Sequence, residues 1–104
     1  MSQQKIVVYV PLSHADIVRE VIGKAGGGKL GKYSYCTFSV RGVGRFKPEG
    51  GAKPHIGKIG KFEQVDEERI EVTCNTKVVR DVIKAIKTVH PYEEVALDVY
   101  LLED

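Results

Sequence analysis

The sequence predicts an α+β domain, a ferredoxin-like β-α-β-β-α-β sandwich with two helices on one face of a four-stranded antiparallel sheet. Three observations predict it. Two stretches carry apolar residues at helical spacing: Ile17, Val18, Val21, Ile22, Ala25, and then Val79, Val82, Ile83, Ile86, Val89. Four other stretches are β-branched or alternate every second residue, as strands do. Glycine, proline and asparagine punctuate them in the order strand, helix, strand, strand, helix, strand. At 104 residues the chain is read as a single domain, residues 1–104, around a single core.

Each element has its own signals. Lys5–Val10 is a strand apolar on both faces, with Ile6, Val8 and Val10 against Val7 and Tyr9, which suits a central place; Pro11 ends it. Ser13 begins the first helix, with Asp16 three residues on in a capping-box arrangement. Gly26-Gly27-Gly28 stops that helix, Gly26 taking the left-handed cap; no Gly-Lys-Ser/Thr follows to make a phosphate loop. Tyr33–Arg41 alternates, and places Cys36, Phe38 and Val40 on the core side. Gly42–Glu63 is a long loop rich in Gly, Pro and Lys, of a length that is usually functional or mobile.

Arg69–Cys74 alternates again, with Ile70, Val72 and Cys74 inward. Matching core faces sets Cys36 opposite Cys74, Phe38 opposite Val72 and Val40 opposite Ile70. Asn75 or Thr76 caps the second helix, which runs to Val89. Pro91 cannot continue it and drives His90 out of the α region. Val95, Leu97, Val99 and Leu101 then mark the last strand. This topology puts the first and third strands at the centre and the other two at the edges. The face without helices receives one apolar set from the first strand and one from the last, and so asks for a cover.

Composition removes several function classes. A net charge of +2 is too small to argue for nucleic acid or an anionic membrane surface. No run approaches the roughly twenty apolar residues that span a bilayer. Two cysteines far apart, with no leader pattern, predict reduced thiols and a cytoplasmic protein. The loop interleaves Arg45, Lys47, Lys53, Lys58 and Lys61 with Phe46, His55 and Phe62, which invites a single-strand reading. The third strand, Glu68-Arg69-Ile70-Glu71-Val72-Thr73-Cys74, has no aromatic platform and two glutamates, so no nucleic-acid partner is assigned.

Cys36 and Cys74 lack the spacing of metal ligands and read as buried thiols. His90 with Glu93 and Glu94 makes a weak metal constellation. The competing reading has His90 satisfying helix-terminal carbonyls, Tyr92 beside Pro91, and the glutamates in solvent. No triad or Cys-His signature is present. No catalytic residue, metal ligand or cofactor is therefore assigned.

Three segments in order resemble a known family. Gly44-Arg45-Phe46-Lys47-Pro48, Ala52-Lys53-Pro54-His55-Ile56-Gly57-Lys58-Ile59-Gly60-Lys61 and His90-Pro91-Tyr92-Glu93-Glu94-Val95-Ala96 resemble the inserted middle domain of Nif-three-like proteins, often called GTP cyclohydrolase I type 2 homologues. Tyr33-Ser34-Tyr35-Cys36-Thr37-Phe38 fits the same insert. The resemblance covers nearly the whole chain and reads it as a stand-alone version of that insert. It implies a fold similar to PII signalling proteins and to CutA proteins, which carry a comparable His-Pro-Tyr-Glu segment and form trimers. The family's two-metal site belongs to flanking halves that this chain lacks, so neither metal ligands nor hydrolase activity carry over.

Together these readings give a cytoplasmic, oligomeric, non-enzymatic binding or regulatory domain. The expected partners are itself, as a trimer first and a dimer second with Tyr9 or Tyr100 at the interface, and a small molecule or a protein. The ligand would sit at subunit clefts on Phe46, Pro48, Pro54, His55, Ile56, His90, Tyr92, Glu93 and Glu94. The competing class is a metal-ion-binding protein or a component of a metal-dependent hydrolase, with His90, Glu93 and Glu94 as ligands.

Overall fold

A computed structural model describes residues 2–103. Strand β1 is Gln3–Pro11, helix α1 Ala15–Lys24, β2 Phe38–Phe46, β3 Glu63–Asn75, α2 Val79–Val89 and β4 Leu97–Leu101. The sheet order is β2-β3-β1-β4, with every neighbouring pair antiparallel. The two centre strands and two edges are those the sequence predicts.

Period-two alternation on β1 and β3 builds the core. Ile6, Val8 and Val10 pair in register with Val72, Ile70 and Glu68, and with Cys74 they face Val18 and Ile22 of α1 and Val79, Val82 and Ile86 of α2. Burial of each such branched side chain contributes about 1.5–3 kcal/mol relative to exposure. The other apolar set of β1, Val7 and Tyr9, lies on the helix-free face. There Arg69 donates to the Tyr9 hydroxyl at 3.1 Å, while Lys5 and Arg69 both donate to Glu71, at 3.3 and 3.1 Å. Tyr100 shares that face opposite Lys5. Among the described residues no helix is long and apolar enough to cross a membrane.

The structure corrects the reading of β2. Phe38 pairs with Glu71, Ser39 with Ile70 and Val40 with Arg69, one residue from the expected register. Because side chains alternate, that single step turns Phe38 and Val40 onto the helix-free face, where they stay exposed. The helix side of β2 is claimed instead by a polar contact at the rim of the core. Arg19 of α1 donates to the Ser39 hydroxyl at 3.2 Å and also bonds Glu68.

Cys36 is not opposite Cys74. Cys74 lies opposite Gln4, and Gly28 takes the place beside Thr73, its N–H donating to the Thr73 carbonyl at 3.0 Å. Cys36 precedes β2, is half-buried rather than buried, and donates its N–H to Gly28 at 2.9 Å. Both thiols are free.

Helix ends follow the sequence in part. Gly26 at φ +100° caps α1, as expected, and the Gly27 N–H closes onto the Ile22 carbonyl at 2.9 Å. Ser13 forms no capping box: residues 12–14 make a 3₁₀ turn, the Ser13 hydroxyl meets His14 Nδ1 at 2.7 Å, and Asp16 bonds Arg19. Asn75 accepts from the Lys77 N–H at 2.9 Å and starts the turn into α2. Helix α2 stops at Val89, and His90 is extended at ψ 134° ahead of Pro91.

The long loop is shorter than read. Pairing of β2 with β3 continues to Phe46 and Glu63, whereas β1 leaves β3 at Pro11 and Glu67. The β2–β3 hairpin therefore overhangs the sheet, and the loop proper is 47–62. Strand β4 starts at Leu97 rather than Val95, so that 91–96 form the turn facing this overhang.

Candidate functional site

The loop 47–62 closes over the 91–96 turn. The Lys53 N–H donates to Glu93 Oε1 at 2.9 Å, and the His55 and Tyr92 rings lie 6.3 Å apart. Between them opens a cleft of about 400 Å³. Phe46, Pro48, Pro54, His55 and Ile56 form one side, Tyr92, Glu93 and Glu94 the other, with Gly44 and Glu67 of the hairpin also lining it. Eight of the nine expected site residues thus come together within one chain.

His90, the ninth, stands behind the cleft. It is 7 % exposed, and both ring nitrogens are committed. Nε2–H donates to the Tyr9 carbonyl at the end of β1 (2.7 Å), and Nδ1 accepts the Tyr92 N–H (3.2 Å). That arrangement fixes the tautomer. Burial lowers the imidazole pKa, opposed by the Tyr9 carbonyl and the Glu67 charge, so the ring is held neutral. The expectation that His90 serves helix-terminal carbonyls is corrected: its acceptor is a strand carbonyl. The imidazole pins the turn to β1 and sets the Tyr92 ring, 5.0 Å from its own.

Tyr92 turns that support toward the cleft. Its hydroxyl donates to Glu67 Oε2 at 2.8 Å, and its ring approaches Phe46 at 6.3 Å with a 55° tilt. Burial, then the Glu67 hydrogen bond and charge, push the phenol well above its ordinary pKa, so it remains a donor.

Glu67 is the site residue that sequence reasoning missed. It is 9 % exposed, and its Oε1 has no hydrogen-bond donor among the described residues. A signal for it existed at Gly44, where a Cβ would overlap the Glu67 carboxylate; a glycine inside a strand often marks such a close approach.

The remaining histidine, His14, meets His55 edge-on at 6.0 Å. Among the described residues no group of three His, Cys, Asp or Glu side chains is placed to hold a metal ion. Of the loop lysines, Lys47 pairs with Glu49 at 3.4 Å and lies over the Phe62 ring.

No family model matches the sequence. The chain is 48% identical over 100 residues, 96% of its length, to the GTP cyclohydrolase 1 type 2 homologue of Bacillus subtilis. It is 44% identical over 101 residues to that of Mycobacterium leprae. The crystal structure of a Bacillus cereus protein related to NIF3 matches 99% of the chain at 48% identity, with a TM-score of 0.86. The chain is homologous to one segment of the NIF3-related proteins. It spans about a quarter of their length, 27% of the B. subtilis relative and 26% of the B. cereus chain.

The chain also shares its fold with smaller proteins. CutA from Archaeoglobus fulgidus matches 98% of it at a TM-score of 0.71 and 17% identity, and B. subtilis GlnK matches 99% at 0.61 and 19%. The chain covers 85% and 87% of those two proteins, and at such identities they establish the fold alone. The family resemblance and the PII/CutA-like architecture expected from the sequence are both borne out.

Proposed function

We propose that this NIF3-related domain is a non-enzymatic binding module, which takes a small molecule or a short segment of a partner protein in the cleft beneath Tyr92. The observation that carries the reading is the preformed cleft itself. Its walls are mostly apolar with charged side chains among them, its one buried carboxylate is held by Tyr92, and Tyr92 is held in turn by His90. Concave, mostly apolar sites with a few fixed polar groups are the usual form of a ligand site.

The same geometry argues against chemistry by these groups. His90 has no free nitrogen, and burial with the Glu67 hydrogen bond keeps Tyr92 a protonated phenol. The free thiols suit a reducing compartment, in keeping with a cytoplasmic protein. Native mass spectrometry of gently purified protein tests the reading. A retained small molecule or peptide, absent from the Tyr92→Ala variant, is expected; identical retention by both proteins would refute the site.

Self-association is the second part of the proposal. Phe38, Val40 and Tyr100 are 64%, 46% and 45% exposed on the helix-free face, Phe38 and Val40 on the β2 edge and Tyr100 on β4. The apolar residues of this face favour a cover by roughly 25 cal/mol for each Å² of apolar surface removed from water, before ordering costs and the burial of Lys5, Arg69 and Glu71 between them. A closed homo-oligomer, a trimer first, is expected by light scattering at micromolar concentration, and its mass should fall on Tyr100→Lys. A strictly monomeric mass, unchanged with concentration, would remove this part and leave the intrachain cleft untouched.

A further inference from the structure

The cleft has a chemical bias beyond its shape. Its lining includes two basic side chains, Arg45 and Lys47, against four carboxylates, Glu49, Glu67, Glu93 and Glu94. Three of those carboxylates are at the rim, and two of the three are already engaged, Glu49 by Lys47 and Glu93 by the Lys53 N–H. Glu67 differs from them. It is more than nine-tenths buried, is anchored through one oxygen by Tyr92, and has its other oxygen without a donor among the described residues.

A largely buried carboxylate with one oxygen left open attracts a cation more strongly than a fully solvated one, because screening is weaker there. Three rings line the same cleft. Phe46 and Tyr92 are 6.3 Å apart and tilted, and His55 is 6.3 Å from Tyr92. Such rings pack against one another, and a face that any of them turns to the cleft offers its negative quadrupole to a positively charged group within about 6 Å.

We infer that the ligand of this cleft carries a compact organic cation, an alkylammonium or quaternary ammonium head, seated among Phe46, His55 and Tyr92 against the Glu67 carboxylate. The inference rests on the cleft being the binding site and adds the sign of its ligand. The hydrated divalent ions of a metal site would demand several charged or imidazole ligands at once, and the described residues provide no such group. A large, soft cation needs only faces and one fixed carboxylate. Gly44 belongs to the same device, since it leaves the space that the carboxylate occupies.

The test uses three probes of equal shape and different charge on the isotope-labelled protein, followed by amide chemical shifts. They are choline, neohexyl alcohol, in which carbon replaces the ammonium nitrogen, and tert-butylacetate. Choline should shift Gly44, Glu67 and Tyr92 saturably, with neohexyl alcohol weaker by about tenfold and tert-butylacetate weaker still. Glu67→Gln, which keeps the size and an acceptor for Tyr92, should weaken choline by about tenfold with little change in the remainder of the spectrum. Equal or tighter binding of the neutral or anionic probe would overturn the cation assignment while supporting the cleft. Shifts from none of the three would overturn the assignment and count against the cleft as well.

Discussion

Replacing His90 with alanine should lower unfolding stability by about 2–4 kcal/mol, read from denaturant midpoints at neutral pH. The substitution empties a nearly buried site and strips the Tyr9 carbonyl and the Tyr92 N–H of a shared partner. An orphaned buried group costs about 1–3 kcal/mol, and the lost packing adds to it. The sign of the pH dependence follows from burial of the neutral ring. The folded-state pKa lies below the unfolded value of 6.5, so the unfolded chain takes up the proton first. The contribution of His90 is fully present above pH 6.5, declines as pH falls below it, and is lost once pH passes the folded pKa. Melting temperatures should therefore fall on acidification through that window in the native protein, and the part of this slope due to His90 should vanish in the alanine variant. A variant as stable as the native protein, with the same slope, would remove His90 from the support of the turn.

Gly28→Ala should cost about 2–4 kcal/mol, against about 1 kcal/mol for Gly31→Ala. Both glycines have positive φ, +78° and +57°, so both substitutions strain the backbone. Only Gly28 also meets a neighbour: a Cβ there would stand 2.5 Å from the Cys36 carbonyl oxygen and 2.8 Å from its nitrogen, whereas Gly31 faces open space. Those atoms belong to the contact that seats the segment before β2, with Gly28 bonded to Thr73 on one side and to Cys36 on the other. Equal losses at the two positions in denaturant unfolding would show that the close approach adds nothing beyond φ.

The glycine run also shows what was legible in the sequence. Three glycines after a helix announce a stop, and Gly26 provides it. That Gly28 also lies beside β3 was not legible, because this contact depends on Thr73, far downstream in the chain. Tyr33–Arg41 alternates in the sequence, but Tyr35 takes a φ of +61° and its ring covers Gly23, where a Cβ would collide with it. The alternation is broken at a residue whose type gives no warning, and Phe38 and Val40 change faces with it. In β1, β3 and α2, by contrast, pattern and burial agree because each buries one uninterrupted face.

The site divides in the same way. Pro91 fixes the end of α2 on steric grounds alone, and the turn it starts was legible from that residue. The loop side, Phe46, Pro48, Pro54, His55 and Ile56, was reached through the family resemblance, since no periodicity marks it. Glu67 was hidden because it precedes the strand read from the sequence, among charged residues that read as solvent-facing, whereas β3 in fact begins at Glu63. Only the overhang of the hairpin brings the 91–96 turn against it and gives its carboxylate a partner in Tyr92.

Ligand binding in the cleft beneath Tyr92 can be read from chemical-shift mapping. The labelled domain is mixed with the small-molecule fraction of a cell extract, and the perturbed amides are placed on the fold. Shifts should gather on Gly44, Phe46, Glu67, Tyr92 and Glu93 and disappear in the Tyr92→Ala variant. Shifts that gather instead on Val7, Tyr9 and Tyr100 of the helix-free face, and that persist in that variant, would contradict it.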